Sequence, residues 1–326
     1  MGICISSESS AIHEAPEEAR DENVIVFKAS KVLSETRGLC SAYSKQGSKG
    51  LNQDAATISQ GYGKEKAAFC GVFDGHGRNG HLVSTIVNSR LSSLILNQKN
   101  VHGKIDTMEK EAIIGAFRVM DKELKLQENL DCSCSGTTAV VVIREGEDLV
   151  IANLGDSRAV LGTICDGEII PVQLTTDMKP GLPREADRIR SCNGRVFALK
   201  EEPHIQRVWL PNENSPGLAM SRAFGDFMLK DHGIIAIPDI SFLTLTSKDQ
   251  FIVLASDGVW DVLSNKEVSS IVWEVNSERE AARAVVEAAT AAWKHKYPSS
   301  KVDDCTVVCL FFQKKQQLLS VKSGNP

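Results

Sequence analysis

Short apolar runs separated by polar turns recur along the chain and predict a protein rich in buried strands. Apolar residues at helical spacing predict amphipathic helices between groups of these runs. Strands are predicted at 39–44, 67–72, 133–143, 149–161, 169–174, 217–226, 251–255 and 305–312, and helices at 81–96, 107–126, 184–192, 265–275 and 278–296. Gly155-Asp156-Ser157 divides one run and predicts a hairpin or a bulged strand. Because the helices come in pairs, the pattern favours an α+β fold over alternating βαβ units.

The stretch 195–216 has no clear period and predicts a long irregular loop. A loop of this length in a compact domain is often functional, so we expect a flap that faces the substrate. Trp209 is interpreted as the packing anchor of this flap, and a recognition residue is the alternative. For Asp226, at the end of the next apolar run, a metal ligand and a turn or capping residue both stay open.

Three segments are predicted from the distribution of polar residues. Residues 1–37 are polar, partly acidic and without strong periodicity, which indicates a flexible N-terminal tether. Residues 38–312 carry the apolar pattern and predict one globular domain. Residues 313–326 predict a flexible C-terminal tail.

The start of the tether carries a candidate lipidation signal. Met1-Gly2-Ile3-Cys4-Ile5-Ser6 fits the N-myristoylation pattern on Gly2, and Cys4 is placed to take a palmitoyl group. One myristoyl chain binds membranes only marginally, and a second chain makes anchoring stable. We therefore expect attachment to the cytoplasmic face of the plasma membrane, a cytosolic location, or both. The alternative is a chance match in a disordered segment.

Composition narrows the class of protein without defining its chemistry. The 326 residues are 42% hydrophobic and 24% charged, which is ordinary for a globular protein. The net charge of −5 argues against a dedicated nucleic-acid binder. Nine scattered cysteines indicate free thiols in a reducing compartment, with structural zinc as the disfavoured alternative. The sequence contains no glycine-rich dinucleotide fingerprint and no phosphate-binding loop with its Lys-Ser/Thr.

Aspartates at the ends of predicted strands are the candidate chemistry. Asp74 follows the run 67–73, and Asp257 follows the run 251–256 in the same way. Asp54 ends a glycine-rich turn, and Asp303 precedes the last apolar run. Oxygen ligands of this kind suit Mg²⁺ or Mn²⁺ rather than zinc. On these residues alone, a shared metal site and a set of unrelated turn aspartates both stay open.

The motifs, taken in order, resemble the metal-dependent type 2C Ser/Thr protein phosphatases, with plant members the nearest in character. The resemblance covers about residues 38–312. Six motifs occur in the order typical of that family: Phe73-Asp74-Gly75-His76-Gly77, Ser135-Gly136-Thr137-Thr138-Ala139, Asn153-Leu154-Gly155-Asp156-Ser157-Arg158, Leu218-Ala219-Met220-Ser221-Arg222 with Gly225-Asp226, Ala255-Ser256-Asp257-Gly258-Val259-Trp260-Asp261, and Asp303-Asp304-Cys305-Thr306.

This resemblance implies a central sandwich of two antiparallel β-sheets flanked by pairs of α-helices. It also implies two Mg²⁺ or Mn²⁺ ions at one end of the sandwich, and a weaker third ion in some members. By motif match, Asp74 bridges the two ions and the Gly75 carbonyl binds one of them. The other implied metal residues are Asp257 and Asp303 on the second ion, Asp54 through metal-bound water, and Asp156 at the third position.

The implied activity is hydrolysis of phosphoserine and phosphothreonine in protein substrates by direct attack of a metal-bridging water. His76 matches the general acid that protonates the leaving alkoxide, and histidine titrates in the range this role needs. Lys49 stands where the family often has a phosphate-binding arginine. We expect a monomer whose partners are phosphorylated proteins and not nucleic acid.

Two residues depart from the family pattern. Gln53 replaces the usual glutamate, so the site carries one negative charge less and a weaker ligand. Lys49 offers phosphate a point charge where arginine would bind it bidentately. These departures motivate the alternative of a membrane-tethered pseudophosphatase scaffold with weak or no catalysis. Because the other site residues are present, we expect activity.

Overall fold

Two β-sheets and the helices that cover them are seen in the computed structural model, which describes residues 25–29, 40–64, 67–102 and 106–313. The strands are β1 (Ile25–Ala29), β2 (Cys40–Lys45), β3 (Asp54–Gln60), β4 (Ala67–His76), β5 (Gly136–Thr137), β6 (Ala139–Glu145), β7 (Asp148–Leu154), β8 (Arg158–Cys165), β9 (Glu168–Gln173), β10 (Arg195–Ala198), β11 (Gln206–Trp209), β12 (Pro216–Leu218), β13 (Phe224–Gly225), β14 (Asp239–Thr244), β15 (Asp249–Ala255) and β16 (Cys305–Phe311). The α-helices are α1 (Gly80–His102), α2 (Asp106–Lys125), α3 (Pro183–Ser191), α4 (Phe227–Lys230), α5 (Asp257–Trp260), α6 (Asn265–Glu274) and α7 (Ala281–Lys296).

The first sheet has the order β1-β3-β4-β6-β7-β14, and the short strands β5 and β13 extend it beside β4. Its strands pair antiparallel except β1, which runs parallel to β3. The second sheet has the order β2-β16-β15-β8-β9 and is antiparallel throughout. Apolar side chains from both sheets fill the space between them, including Val72, Val140, Ile252 and Leu254. Burial of these continuous apolar runs is the main stabilising contribution to the sandwich.

A helix pair covers the outer face of each sheet. Phe117 of α2 and Phe69 of the first sheet belong to one buried apolar cluster, and Trp293 of α7 and Phe251 of the second sheet belong to another. This arrangement confirms the predicted α+β sandwich with flanking helix pairs. Within the described helices, none is long and apolar enough to cross a membrane. The eight cysteines of the described residues are free thiols, as predicted.

The hairpin or bulged strand predicted at residues 155–157 is wrong. Strand β7 pairs with β6 and β14, whereas β8 pairs with β15 and β9, so the two arms belong to different sheets. The turn carries the chain from one sheet to the other, and Gly155 has a φ of 101° there. Both arms are apolar enough to pair with several partners, so the local pattern did not determine the pairing.

The stretch 195–216 is more ordered than an irregular loop, because β10, β11 and β12 form a small antiparallel sheet. The buried strand predicted at 217–226 is also corrected: only its two ends belong to strands, β12 and β13, and the largely buried loop between them makes one isolated bridge, from Arg222 to Ile235. Strand β1 lies inside the segment predicted as a tether. Its sequence Ile-Val-Phe-Lys-Ala is apolar enough to add an edge strand to the first sheet. Gly2 and Cys4, like the predicted tail from residue 314 onward, lie outside the described residues.

Candidate active site

One end of the sandwich gathers aspartates from both sheets. In the first sheet, Asp54 at the start of β3 is the register partner of Asp74 near the end of β4. In the second sheet, Asp257 follows the end of β15, and Asp303 precedes the start of the neighbouring strand β16. Because β15 and β16 are antiparallel, these two positions lie at the same edge. Four strand ends therefore bring together the four aspartates that the sequence singled out.

Electrostatic effects show how close these carboxyl groups are. Burial raises the pKa of Asp74 well above its usual range, and the charges of Asp257, Asp54, Asp303 and Asp156 raise it further. The pKa of Asp257 is raised for the same reasons, with burial again the largest cause. All five predicted carboxylates therefore lie in one cluster, with Asp54, Asp156 and Asp257 buried and Asp74 and Asp303 partly buried, in which each negative charge makes the next less favourable.

Asp54 combines a strongly raised pKa with a hydrogen bond that joins the two sheets. Burial, followed by the charge of Asp304, raises its pKa to about 7. The hydroxyl of Ser256 donates to Asp54 Oδ2 at 2.8 Å and links the two sheets at this point. Asp304, which the sequence did not single out, accepts from the backbone N–H groups of Gly47 at 2.7 Å and Gln53 at 2.9 Å. It thereby fixes the glycine-rich turn that precedes Asp54.

Two lysines supply positive charge to the cluster. The Lys49 ammonium forms an ion pair with Asp303 Oδ2, and the Lys179 ammonium forms one with Asp156 Oδ2. Burial alone would lower the pKa of Lys49, but the charges of Asp303 and Asp257 outweigh it and the pKa is raised. Lys179 was missed in the sequence, because it lies in a polar stretch without an apolar pattern that would mark it. In this conformation, Lys49 contacts a predicted metal ligand rather than a free phosphate position.

The donor set fits a pair of Mg²⁺ or Mn²⁺ ions in chemistry. The converging groups are carboxylate oxygens, which such ions prefer, and their raised pKa values report an excess of buried negative charge that a cation relieves. Among the described residues, however, no three acidic, histidine or cysteine side chains are already drawn together closely enough to ligate one ion. The two lysine ion pairs account for part of this difference, because they direct Asp303 and Asp156 toward ammonium groups.

The turn after β4 is packed so tightly that its glycines are required. A Cβ on Gly75 would lie 2.5 Å from the carbonyl oxygens of Gln53 and Gly80. Gly77 has a φ of 80°, and a Cβ there would lie 2.2 Å from the carbonyl oxygen of Cys134. The side-chain amide of Gln53 donates to the Gly77 carbonyl at 2.8 Å. Gln53 is therefore a structural tie of the turn, a role that glutamate could not fill because a carboxylate has no N–H to donate.

His76 is buried and paired with an aspartate 150 residues away in the sequence. Its Nε2 lies 2.6 Å from Asp226 Oδ2, whereas its Nδ1 is buried with no hydrogen-bond partner among the described residues. Burial would lower the pKa of His76, but the charge of Asp226 and the hydrogen bond to it outweigh this effect and raise the pKa. Asp226 therefore binds His76 and raises its pKa, and it is not placed among the aspartates of the carboxylate cluster.

Asp226 is itself held firmly in place. Its backbone adopts a left-handed conformation with a φ of 52°, and its N–H donates to the Ser135 carbonyl at 3.0 Å. The preceding N–H, from Gly225, donates to Asp121 Oδ1 at 2.9 Å. Gly136 lies directly against the His76–Asp226 pair, since a Cβ there would be 2.3 Å from Asp226 Oδ2.

Trp209 is the packing anchor of the small sheet formed by β10, β11 and β12. It is buried, stacks on Phe197 with ring centroids 5.0 Å apart, and donates from Nε1 to the Phe197 carbonyl at 3.0 Å. Its ring also lies directly against Gly217, where a Cβ would be 2.7 Å from two ring carbons. These contacts leave little of Trp209 free for recognition, which favours the anchor over the alternative.

Comparison with known proteins agrees with the fold and the motifs. The family model described as protein phosphatase 2C matches residues 40–296. The chain belongs to the protein phosphatase 2C family and is a phosphoprotein phosphatase.

Individual relatives support the same assignment. The chain is 55% identical to "Probable protein phosphatase 2C 72" of Arabidopsis thaliana, over 97% of this chain and 99% of that protein. It is 50% identical to "Probable protein phosphatase 2C 61" of the same plant, over 97% of this chain and 98% of that protein. Among solved structures, a serine-threonine phosphatase 2C from Toxoplasma gondii superposes with a TM-score of 0.76 at 24% identity. That match covers 84% of this chain and 94% of the other, and it supports the fold.

Proposed function

We propose that the protein hydrolyses phosphoserine and phosphothreonine in protein substrates with the help of two Mg²⁺ or Mn²⁺ ions. The observation that carries this proposal is the buried carboxylate cluster at the end of the sandwich, beside a buried histidine that has one nitrogen unpaired. Asp74, Asp257, Asp303, Asp54 and the Gly75 carbonyl would hold the ions. Asp156 would serve a weaker third ion together with Asp257.

When bound, ions of this kind lower the pKa of water and neutralise charge on the phosphoryl group. The protein residues do the remaining work. A water oxygen replaces the serine or threonine oxygen on phosphorus, and the departing oxygen needs a proton because a free alkoxide is a poor leaving group. His76 supplies that proton from Nδ1, since its Nε2 is engaged by Asp226. The imidazole then regains a proton from solvent.

Lys49 has two roles in this proposal. Before substrate and metal bind, its ammonium neutralises Asp303. When cations take over that neutralisation, the ammonium becomes available to the phosphate of the substrate. A single point charge orients phosphate less strictly than a guanidinium, so we expect a looser grip than an arginine would give.

The decisive experiment measures turnover of a phosphothreonine peptide with Mn²⁺ and with EDTA. We expect turnover with Mn²⁺, none with EDTA, and a loss of several orders of magnitude in kcat for Asp74→Asn and Asp257→Asn. The exposed Asp187→Asn serves as a matched control and should behave like the wild type. Turnover by Asp74→Asn at the wild-type rate would refute the assignment. Phosphopeptide binding without turnover would instead favour the scaffold, which no feature of the described residues supports over the enzyme.

For localisation, we propose that lipid chains on Gly2 and Cys4 attach the protein to the cytoplasmic face of the plasma membrane, with a further pool in the cytosol. The sequence pattern at these residues supports this proposal. Membrane fractionation of Gly2→Ala tests it: the variant should move to the soluble fraction. If Gly2→Ala stays as membrane-bound as the wild type, N-myristoylation is not the anchor.

A further inference from the structure

A groove of about 390 Å³ lies between α2 and the segment from Phe227 to Ile237. The α2 side of its rim carries Arg118, Lys122 and Lys125, which are four and three residues apart and therefore share one face of the helix. All three side chains belong to exposed residues, and no carboxylate of the described chain forms an ion pair with any of them. This groove is distinct from the carboxylate cluster, because none of the cluster's aspartates lines it, and its charge is of the opposite sign.

The only acid on the rim is already neutralised. Asp121 forms an ion pair with Lys230, the fourth rim cation, at 3.0 Å, and it also accepts the N–H of Gly225. The rim therefore keeps an excess of positive charge in a protein whose net charge is −5. Isolated surface cations are common, but a line of three beside an apolar concave floor is a specific combination.

The floor of the groove is apolar. Phe227 lies between two rim cations, with the Lys125 and Lys230 ammonium groups each 5.7 Å from its ring centroid. Ile235 and Ile237 line the groove and are only partly buried. A ligand that fits must therefore combine negative charge with an apolar side chain, which free phosphate does not.

The groove lies at the catalytic end of the molecule. Helix α1 begins at Gly80, just after the turn that carries His76, and α2 runs back antiparallel to it, as the ion pairs Arg90–Glu123 and Lys99–Glu109 show. The C-terminal half of α2 is therefore near the carboxylate cluster. Phe227 also directly follows Asp226, the partner of His76.

We propose that this groove docks an acidic, extended segment of the phosphoprotein substrate. The proposal rests on the proposed function, because it assigns part of the substrate to this surface. Arg118 and Lys122 are about 6 Å apart along the helix axis. Side chains on one side of an extended peptide repeat at about 6.6 Å. Acidic residues at alternate positions thus match Arg118 and Lys122, and the intervening apolar side chains face Phe227 and the isoleucines.

A peptide with the segment Glu-Leu-Glu-Leu-Glu, joined by a flexible linker to phosphothreonine, tests the proposal. The test variant is Lys122→Glu/Lys125→Glu, and the matched control is Lys266→Glu/Lys294→Glu, which reverses two exposed helical lysines on α6 and α7. We expect the test variant to raise KM for this peptide about tenfold with kcat unchanged. Turnover of p-nitrophenyl phosphate, and of a peptide with serine in place of each glutamate, should not change.

Binding of the same segment without phosphate, measured by fluorescence anisotropy, separates this proposal from the proposed function. The wild type should bind it, binding should weaken with added NaCl, and the test variant should lose it while binding a Lys-Leu-Lys-Leu-Lys segment instead. An enzyme that turns over no phosphopeptide yet binds the segment would refute the proposed function alone. The groove proposal would be overturned by an equal KM in the wild type and the test variant, or by an equal rise in KM in the control variant. It would also be overturned if these lysines supported binding only to phosphatidylserine vesicles or to nucleic acid.

Discussion

The imidazole Nε2 of His76 lies 2.6 Å from Oδ2 of Asp226, and both side chains are buried. This contact leaves Nδ1 as the nitrogen without a protein partner and raises the pKa of the imidazole. A histidine with a raised pKa keeps its proton at a higher pH than an unperturbed one. Asp226 is therefore a positioning residue for the acid that the proposed reaction needs.

Replacement of Asp226 by asparagine should weaken acid catalysis selectively. Without the Asp226 charge, the pKa of His76 falls, so the protonated fraction near neutral pH falls with it. We expect kcat for a phosphoserine peptide to drop about 10²-fold and the alkaline limb of its pH profile to move to lower pH. p-Nitrophenyl phosphate has a good leaving group and needs little acid assistance, so its turnover should change far less. An equal loss on both substrates would indicate a structural role only.

Replacement of Gly136 by alanine should separate the same pair without removing either partner. The added methyl would lie 2.3 Å from Asp226 Oδ2, 2.3 Å from the Phe224 carbonyl oxygen and 2.8 Å from His76 Nε2, so the pair must shift together with β13. We expect the same substrate-dependent loss as for Asp226→Asn. Gly115→Ala is the matched control, because its methyl would meet nothing nearer than 3.7 Å and α2 gains helix propensity. Full activity in Gly136→Ala would show that the contact is not needed.

Features encoded within one strand and its flanking turn were predictable from the sequence. An apolar run that ends in Asp-Gly indicated Asp74 and Asp257 because burial and the strand end are both local properties. The His76–Asp226 contact was not predictable in this way, because 150 residues separate the partners. The prediction for residues 155–157 was wrong for a related reason: strands of similar apolarity can exchange partners without changing the local pattern.

Gln53 shows the limit of reasoning from a motif. Comparison with the family pattern described it as a missing carboxylate, which is a statement about charge. The structure adds a donor function, since its amide ties Gly77 and thereby the turn that carries His76. The motif does not reveal this donor role, because the hydrogen bond joins two segments that lie 24 residues apart in the sequence.

Two replacements of Gln53 should separate its donor function from its charge. Gln53→Met and Gln53→Glu both lose the hydrogen bond to the Gly77 carbonyl, so Gln53→Met should lower the free energy of unfolding by about 1 kcal/mol in EDTA. Gln53→Glu should lower it by more, because its added charge also repels the metal-free cluster. Only Gln53→Glu adds a negative charge beside the carboxylate cluster, so only it should bind Mn²⁺ more tightly. Thermal melts in EDTA and calorimetric Mn²⁺ titrations check the two effects. Unchanged stability in both variants would contradict the structural role of the amide.

The stability of the metal-free protein should fall as the pH rises. Asp54 has an ordinary pKa of 3.8 and a folded-state pKa of about 7, so the folded state holds this proton more tightly than the unfolded state does. Below the ordinary pKa, ionisation of Asp54 costs the folded state no stability, and this cost grows until the pH passes about 7. In EDTA, we expect the Tm to decrease between about pH 4 and pH 7 and then to level off, and Mn²⁺ to restore more stability at the higher pH.

Asp54→Asn isolates the contribution of this one carboxyl group to that pH dependence. It removes the charge that is buried above pH 7, so its Tm in EDTA at pH 8 should exceed that of the wild type by roughly 2–4 °C. The difference should shrink as the pH falls and vanish below the ordinary pKa of 3.8, where Asp54 is protonated in both the folded and the unfolded wild type. Asp187→Asn, at an exposed carboxylate, should leave the pH dependence of the Tm unchanged. If the wild type and Asp54→Asn lose stability in parallel across this range, the pH dependence arises elsewhere in the cluster.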